Sequence, residues 1–240
     1  MKRNRLDIYD VHGGEWWDER SRTFASLRTI NIFRWRWLRR WLGDDLRDRL
    51  VVDLGCGGGL LAEPLARAGA HVVAVDLSPA SLGTGRDHAA ERRIGWTRAD
   101  LHQAPLPDGC ADHVLLADVL EHLEHPARAV REAARLLRAG GTLYVNTINR
   151  TLSARWLAVY LAEGVGLVPR GTHDPRLFVR PGELDRAAAA CGLERSRRCG
   201  EFPRLLRTLW RREVHFRPAR SLALAYSTLY VRSGSGPSGR

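Results

Sequence analysis

Short apolar runs alternate along the middle of the chain with segments whose apolar positions recur at helical spacing. The runs predict strands at 50–54, 71–76, 94–98, 112–117 and 142–147. The segments between them predict helices over 60–68, from Ser78 and Pro79 onward, and up to Arg138. Such alternation predicts an α/β fold with a doubly wound, mostly parallel, Rossmann-like sheet. Ligands of these folds bind beyond the carboxyl ends of the strands.

The rest of the chain fits one domain over 1–232. Residues 1–48 combine helical and aromatic patterns and predict a lid, whereas the apolar, glycine-containing stretch within 149–181 predicts an inserted substrate cover. A chain of 240 residues with 44% hydrophobic residues can bury a large core without a second domain. The serine- and glycine-rich residues 233–240 predict a flexible tail.

The first predicted strand runs into a cluster of glycines at 55 and 57–59. Glycine lacks the Cβ atom that blocks a sharp turn and a close approach to a ligand, so the cluster predicts a nucleotide-binding turn. Asp76 ends the second strand, 21 residues after Gly55, where its carboxylate can accept both hydroxyls of a ribose. We therefore expect a cofactor that contains adenosine.

Three acids at strand ends favour S-adenosylmethionine (SAM) over a dinucleotide. The dinucleotide pattern G-x-G-x-x-G needs a third glycine where this chain has Leu60. Asp53, inside the turn, would repel a pyrophosphate but could meet the ammonium of a methionine moiety. Asp100, after the third strand, would meet the adenine amino group. The alternative is that the glycines serve only a tight turn.

Asp118, Glu121 and His122 follow the fourth strand with the spacing i, i+3, i+4, which places side chains on one face of a helix. Two carboxylates and an imidazole could hold magnesium or another divalent cation, and His122 could instead act as a base. Asp118 with Glu121 also has the spacing of a capping box, in which side chains bind amides at a helix start. The spacing leaves all three interpretations open.

The formal net charge of +11 and the pI near 10.6 come almost wholly from arginine, since Lys2 is the only lysine. Arginine and tryptophan are mixed at 34–41 and at 204–212, which is typical of a helix at a membrane interface and also of an ordinary surface helix. A basic surface also attracts nucleic acid. The chain shows no recognisable RNA-binding motif, however, and we expect no nucleic-acid partner.

Neither a signal peptide nor a membrane span is predicted. The basic start leads into Asp7 and Asp10, and the longest apolar stretch, 156–168, contains Glu163 and falls short of the about 20 residues that cross a bilayer. The four cysteines lack C-x-x-C spacing and predict neither a zinc site nor a disulfide framework. We expect a cytoplasmic protein that can lie peripherally on the inner face of the membrane.

Several short segments, spread over most of the chain, carry a family resemblance. They are Trp16-Trp17-Asp18, Arg28-x-x-Asn31-x-x-Arg34, the glycine turn at 52–59, Asp118-x-x-Glu121-His122, Asn146-Thr147-x-Asn149-Arg150, Val168-Pro169-x-Gly171-Thr172-His173-Asp174 and Phe178-x-x-Pro181-x-Glu183-Leu184. With these segments the chain resembles the ubiquinone-biosynthesis O-methyltransferases, class I SAM-dependent enzymes that methylate phenolic and catechol hydroxyls of polyprenylated rings. The glycine turn is shared by many methyltransferases, whereas the Asn-Arg and Thr-His-Asp segments are much more specific.

The resemblance implies that Arg34, Gly55, Asp76 and Ala117 line the methyl-donor site. With the strand-end acids and their neighbours, the expected donor-binding residues are Arg34, Asp53, Gly55, Cys56, Gly57, Asp76, Leu77, Asp100, Leu101 and Ala117. The resemblance also implies a divalent cation on Asp118, Glu121 and His122, with aspartate at 118 where the family usually has glutamate. In relatives the insertion near 152–168 is associated with membrane contact. The family's Tyr-Asn-Pro segment stands here only as Glu201-Phe202-Pro203, so the acceptor region departs most.

These features predict a SAM-dependent O-methyltransferase of a phenol or catechol, with a polyprenylated quinone precursor as the expected acceptor. A phenol with a pKa of about 10 is a poor nucleophile near pH 7, so a cation on Asp118, Glu121 and His122 would activate it. The expected catalytic residues are Glu121, His122 and His173, although His173 could be structural. The alternatives are a methyltransferase of soluble small phenols, a non-catalytic SAM-binding protein and a nucleic-acid methyltransferase. The oligomeric state is not predicted.

Overall fold

The structure, a computed structural model, describes residues 4–89 and 93–234. Its centre is one sheet with the strand order β3-β2-β1-β4-β5-β8-β6-β7. The strands are β1 Leu50–Leu54, β2 His71–Asp76, β3 Ile94–Arg98, β4 Ala111–Ala117, β5 Leu137–Ile148, β6 Leu193–Pro203, β7 Phe216–Ala219 and β8 Ala225–Arg232. β1 to β5 pair in parallel, and β6 to β8 extend the sheet by antiparallel pairs. The predicted doubly wound, mostly parallel α/β sheet is confirmed.

The helices of the described residues flank this sheet. They are α1 Ile8–Val11, α2 Ala25–Leu42, α3 Ala62–Arg67, α4 Pro79–His88, α5 Pro126–Leu136, α6 Leu152–Ala154, α7 Ala162–Gly164, α8 Pro181–Ala189 and α9 Leu205–Arg211, with 3-10 turns at Gly13–Glu15 and Leu120–His122 and a π-helical segment at Arg155–Leu161. α4 begins as predicted, because the Ser78 side chain accepts a hydrogen bond from the Ser81 backbone N–H and Pro79 fills the first turn.

Apolar side chains cover both faces of the sheet, because consecutive strand residues point to opposite sides. Val51 packs in a cluster with Leu38 of α2, whereas Val52 packs with Val130 of α5 and Leu184 of α8. All of these side chains are buried. A parallel strand that is covered on both faces is mostly apolar, and the apolar runs located β1 to β4 to within one residue. The helix predicted up to Arg138 is wrong at its end, because β5 already begins at Leu137, five residues before the predicted strand.

The N-terminal region packs across the glycine turn and the start of α4. The indole Nε1 of Trp16 donates to Ser81 Oγ at 2.8 Å, and that of Trp17 donates to the Gly58 carbonyl oxygen at 2.8 Å. On α2, Trp35 and Trp41 pack against the core, so the mixture at 34–41 is that of an ordinary surface helix. The predicted lid over 1–48 begins in residues outside those described, and its function as a lid stays a prediction.

The second half of the chain differs more from the predicted elements. The predicted cover at 149–181 folds as α6, the π-helical segment and α7, followed by a loop that leads into α8. β6, β7 and β8 were not predicted. Of the predicted tail at 233–240, only the first two residues are described. Within the described residues, no helix combines the length and the hydropathy that crossing a bilayer requires.

Candidate active site

The glycine turn at the end of β1 is closely packed on both sides. Gly57 has a φ of +52°, and a Cβ atom there would lie 2.5 Å from the Trp16 ring. Gly55 has a φ of +78°, and a Cβ atom there would lie 2.5 Å from Val119 Cγ2. Both the backbone conformation and the space therefore require glycine. The turn contacts the N-terminal region on one side, and it also lines a cavity.

Two carboxylates face the cavity beside this turn. The Asp76 carboxylate accepts hydrogen bonds from the backbone N–H groups of Gly57 at 2.8 Å and of Ser78 at 2.9 Å. Asp53 is 3% exposed, and burial together with the charge of Asp76 raises the pKa of Asp53 to about 7. Burial also raises the pKa of Asp76. A cationic group of a ligand would be stabilised between these two acids.

The cavity has a volume of about 350 Å³, which is in the range of small-molecule sites. Its lining includes most of the predicted donor-binding residues, namely Asp53, Gly55, Cys56, Gly57, Asp76, Leu77, Leu101 and Ala117. Sequence reasoning did not place Tyr9, Asp10 and Trp16 in this wall. Tyr9 and Trp16 were signalled by the aromatic density of the N-terminal region, and Trp16 also by the segment Trp16-Trp17-Asp18. Asp10 gave no signal, because its approach to the cavity depends on tertiary packing.

Two of the predicted donor-binding residues lie outside this wall. β3 ends at Arg98, and Asp100 stands in the following turn with its side chain 56% exposed. The Asp100 carboxylate accepts from the backbone N–H of His102 at 2.9 Å and lies 2.8 Å from His102 Nδ1. Local hydrogen bonding thus holds this carboxylate within the turn. The second residue, Arg34, borders a different cavity, where it pairs with Asp118.

The described lining of the first cavity carries five aspartates and neither lysine nor arginine. The aspartates are Asp7, Asp10, Asp53, Asp76 and Asp118. Such a lining disfavours the pyrophosphate of a dinucleotide and favours a ligand with ammonium and sulfonium charges. The electrostatics therefore support the choice of SAM that the strand-end acids predicted.

A second, more apolar cavity of about 140 Å³ adjoins the first. Its walls come from α2, the insertion, α9 and the ends of β5 and β8. Four residues border both cavities: Tyr9, Leu27, Asp118 and His122. A molecule in one cavity would meet a molecule in the other at this junction.

Arg34 and Asp118 form an ion pair at the junction. Arg34 is 2% exposed, and its Nη2 donates to Asp118 Oδ1 at 2.7 Å while its Nη1 donates to Oδ2. Asp118 has a φ of +55°, and its backbone N–H donates to the Asn146 carbonyl oxygen at 3.2 Å. The chain therefore bends at Asp118 and directs its carboxylate to Arg34. A bidentate pair of this kind is strong, and separating it would leave a buried charge.

The helix face predicted to carry Asp118, Glu121 and His122 is not formed, because Asp118 is left-handed and only the 3-10 turn Leu120–His122 follows. No side-chain cap is present at that turn, so the capping-box interpretation is wrong as well. Glu121 Oε2 accepts from Thr147 Oγ1 at 2.7 Å, and burial raises the pKa of Glu121. Across residues 4–89 and 93–234, no three His, Cys, Asp or Glu side chains are grouped to hold a metal ion.

His122 lies at the junction and is 8% exposed. Its Nδ1 lies 2.9 Å from Asn4 Oδ1, and its Nε2 lies 3.4 Å from the Tyr9 hydroxyl. Burial, with a smaller effect from His173, lowers the pKa of His122 to about 3. The imidazole is therefore neutral at physiological pH and retains one unprotonated nitrogen.

His173 stands beside His122, with the two ring centroids 5.7 Å apart. Its Nδ1 lies 3.5 Å from Glu163 Oε1, and Glu163 also accepts from the backbone N–H groups of Gly171 at 2.8 Å and of His173 at 3.1 Å. Burial raises the pKa of Glu163, but the hydrogen bonds together outweigh burial, so the pKa is lowered. The three predicted catalytic residues, Glu121, His122 and His173, all line the second cavity.

Exposed apolar side chains lie on the two elements that wall the second cavity from outside. On the π-helical segment, Trp156 is 65% exposed, and on α9, Leu206 and Trp210 are 88% and 78% exposed. The exposed arginines of this region are Arg204, Arg207, Arg211 and Arg212. Unlike Trp35 and Trp41 of α2, Trp210 is not covered by the core. The surface at 204–212 therefore keeps the membrane-interface interpretation.

Comparison with known proteins identifies similar chains. A family model described as "Methyltransferase domain" matches residues 52–145. The chain is 42% identical over 186 residues to the ubiquinone biosynthesis O-methyltransferase of Aromatoleum aromaticum, which covers 75% of this chain and 77% of that protein. It is 34% identical over 223 residues to the protein of the same name from Agrobacterium fabrum, with 88% and 89% covered.

Solved structures share the fold at lower identity. The magnesium protoporphyrin IX methyltransferase of Synechocystis with bound SAH is 21% identical, has a TM-score of 0.66 and matches 96% of both chains. A possible histamine N-methyltransferase from Thermotoga maritima is 18% identical, has a TM-score of 0.68 and matches 94% of this chain and 100% of that one. At these identities the likeness concerns the fold alone.

Proposed function

The chain belongs to the ubiquinone biosynthesis O-methyltransferases and is a SAM-dependent methyltransferase, and from this premise we propose that it methylates a phenolic or catechol hydroxyl of a polyprenylated quinone precursor. The observation that carries the proposal is the junction of two cavities at Asp118 and His122. The acidic cavity suits a cationic donor. The apolar cavity suits an aromatic ring that bears a hydrocarbon tail.

Residues of the first cavity would hold the donor. Asp76 would accept the ribose hydroxyls, and Asp53 would meet the ammonium group. Leu77 and Leu101 offer apolar contacts on the same wall. When bound, SAM supplies an electrophilic methyl group: the phenolic oxygen bonds to the methyl carbon while the carbon–sulfur bond breaks and its electron pair stays on sulfur. Because the sulfonium leaves readily, alignment of the reacting atoms is the main contribution of the protein.

Histidines at the junction would take the phenolic proton. The neutral His122 borders both cavities and is the proposed general base. Because its pKa of about 3 lies far below that of a phenol, the proton would move to the ring as the oxygen bonds to the methyl carbon, and not beforehand. His173, beside His122 in the second cavity, is proposed as a second base or as a polar contact to the ring. Glu121 lines the second cavity with its pKa raised, so its carboxyl group would orient the acceptor rather than repel it.

A divalent cation would require a rearrangement of its three predicted ligands. Asp118 is bound by Arg34, Glu121 by Thr147, and His122 faces Asn4 and Tyr9, so the three predicted ligands do not fit one ion as they stand. Metal binding would need Arg34 to release Asp118. We keep cation assistance as a separate proposal and derive no step from it. Transfer that EDTA abolishes and Mg²⁺ restores would support it, whereas transfer that persists in EDTA would exclude it.

A lipid tail would need a route to the second cavity. Leu157 and Leu161 of the insertion and Leu205 of α9 line that cavity, and their neighbours Trp156, Leu206 and Trp210 are exposed. We propose that the insertion covers the acceptor and that this surface contacts the inner face of the membrane, with arginines at the headgroups.

The test is transfer of labelled methyl groups from SAM to catechols with and without a long prenyl tail. Transfer that favours the tailed catechols supports the proposal. Transfer only to tailless phenols would assign the chain to soluble small-molecule acceptors. Tight binding of SAM without any transfer would indicate a non-catalytic SAM-binding protein.

A further inference from the structure

We propose that Asn4 is a positioning residue for His122: it holds the hydrogen of the neutral ring on Nδ1 and leaves Nε2 bare at the junction of the two cavities. The importance of this for turnover rests on the proposed function, whereas the tautomer can be measured without turnover. Asn4 and His122 are 118 positions apart in the chain, so no local spacing predicts their contact.

Two contacts between Asn4 and His122 determine the tautomer. Asn4 Nδ2 donates to the backbone oxygen of His122 at 3.0 Å, and Asn4 Oδ1 lies 2.9 Å from His122 Nδ1. A backbone oxygen can only accept, so the amide nitrogen must face it and the amide oxygen must face the ring. The amide oxygen can also only accept, so Nδ1 carries the hydrogen. In a neutral imidazole, Nε2 is then an unprotonated acceptor.

The unprotonated Nε2 lies at the place where the hydroxyl of the methyl-accepting substrate would have to lose its proton. Nε2 is 3.4 Å from the Tyr9 hydroxyl, and both residues border both cavities. A hydroxyl that approaches Nε2 from the cavity, in place of the hydrogen bond from Tyr9, can pass its proton to Nε2. In the opposite tautomer, an N–H group would occupy this position and could not accept that proton.

The backbone around Asn4 supports this arrangement. Asn4 has a φ of +58°, a left-handed conformation that asparagine adopts more readily than most residues. The backbone N–H of Arg5 donates to the Gly171 carbonyl oxygen at 3.0 Å, two residues before His173. The turn at Asn4 and Arg5 therefore contacts both the segment that carries His122 and the segment that carries His173.

The tautomer is tested by the ¹⁵N spectrum of the full-length protein labelled at histidine, at neutral pH in EDTA, with the His122 signals assigned through His122→Gln. We expect a protonated Nδ1 and a bare Nε2. Asn4→Leu removes the acceptor and shifts the ring toward Nε2–H. Asn4→Asp keeps an acceptor oxygen and should keep the tautomer. Arg5→Ala, in the same turn, is the matched control and should leave the His122 signals unchanged.

Kinetics on a phenol that the wild type methylates connect the tautomer to turnover. We expect Asn4→Leu to lower kcat at least about tenfold, with the donor Kd changed less than about threefold, and Asn4→Asp to recover most of the loss. A wild-type ring protonated on Nε2, or an Asn4→Leu variant that keeps its kcat, overturns the proposal. If the wild type methylates no phenol, the proposed function fails, while the spectra still decide whether Asn4 sets the tautomer.

Discussion

The proposed donor side and the proposed acceptor side of this molecule are built in different ways. The donor cavity lies at the ends of successive parallel strands, with Gly55 after β1, Asp76 at the end of β2 and Ala117 at the end of β4. The acceptor cavity joins segments as distant as Ile30 on α2 and Leu224 before β8. Fixed backbone geometry at strand ends makes donor chemistry recognisable in a sequence, whereas long-range packing shapes the acceptor pocket.

The two sides also differ in charge. Asp53 and Asp76 make the donor cavity acidic, and burial raises the pKa of both carboxyl groups. On the acceptor side, the charge of Arg34 is matched by Asp118, and the remaining wall is mostly apolar. The donor site should therefore respond strongly to changes of pH and of charge, and the acceptor site to changes of shape and of apolar surface.

The largest expected effect is the pH dependence of stability that Asp53 causes in the ligand-free protein. Its pKa of about 7 in the folded state exceeds the unfolded value of about 3.9. The protonated form is thus favoured by folding, so the contribution of Asp53 to the free energy of unfolding is fully present below about pH 4. It is lost as the pH rises through about 7, by up to about 4 kcal/mol.

Asp53→Asn should remove this dependence, and urea unfolding between pH 4 and 8 measures it. Asp44→Asn, at an exposed carboxylate, is the control and should keep the wild-type profile. If the free energy of unfolding of Asp53→Asn changes with pH as that of the wild type does, Asp53 does not cause the pH dependence.

The next effect concerns donor affinity. Asp76→Ala should weaken binding of S-adenosylhomocysteine about a hundredfold, because hydrogen bonds to a charged acceptor contribute roughly 1.5–3 kcal/mol each. Calorimetric titration gives the Kd. Asp44→Ala should stay within about twofold of the wild type. If Asp76→Ala lowers the affinity for S-adenosylhomocysteine less than about fivefold, Asp76 does not bind the donor.

On the acceptor side, we expect the outer surface to govern membrane contact. Replacing Leu206 and Trp210 together by serine should lower binding to vesicles of anionic phospholipid about tenfold or more, because two large apolar side chains lose their burial. Ile32→Ser is the matched control, since Ile32 is 59% exposed on α2. If the wild type and the double variant float equally with the vesicles, the surface formed by Leu206 and Trp210 does not bind the membrane.

The smallest effect is expected for Asp100, whose position in the structure differs from the one that the sequence predicts. The sequence predicts a contact with the adenine amino group, but the carboxylate is exposed and bonded to His102. Asp100→Ala should therefore change the Kd of S-adenosylhomocysteine less than about threefold. A loss of tenfold or more would show that this carboxylate turns inward when the donor binds.

The fold was predictable as far as β5 because most of these strands are short apolar runs, and β1 and β4 are buried along most of their length. Val51 and Val52 enter opposite core clusters, and Asp53 is the one polar residue of β1. β6 gives no such signal, since its residues from Glu194 to Arg197 are polar and exposed. Alternation of apolar positions cannot identify a strand whose faces are largely in solvent.

The candidate site was predictable where a residue's role follows from its position in the chain. Asp76 ends a strand, and it lines the first cavity together with the glycine turn. Asp118 was predicted to sit on a helix, but its φ of +55° and its pair with Arg34 depend on residues 84 positions away. Tyr9 and Asn4 reach His122 only because the N-terminal region packs across the glycine turn and the start of α4.

The most direct test of the account is a single-turnover measurement with His122→Gln, labelled SAM and a prenylated catechol. His122 stands where donor and acceptor would meet, so the rate of transfer should fall about a hundredfold or more while the donor Kd changes less than about threefold. His102→Gln, outside both cavities, should transfer at the wild-type rate. Transfer by His122→Gln at that same rate would contradict the claim that methyl transfer occurs at the junction of the two cavities.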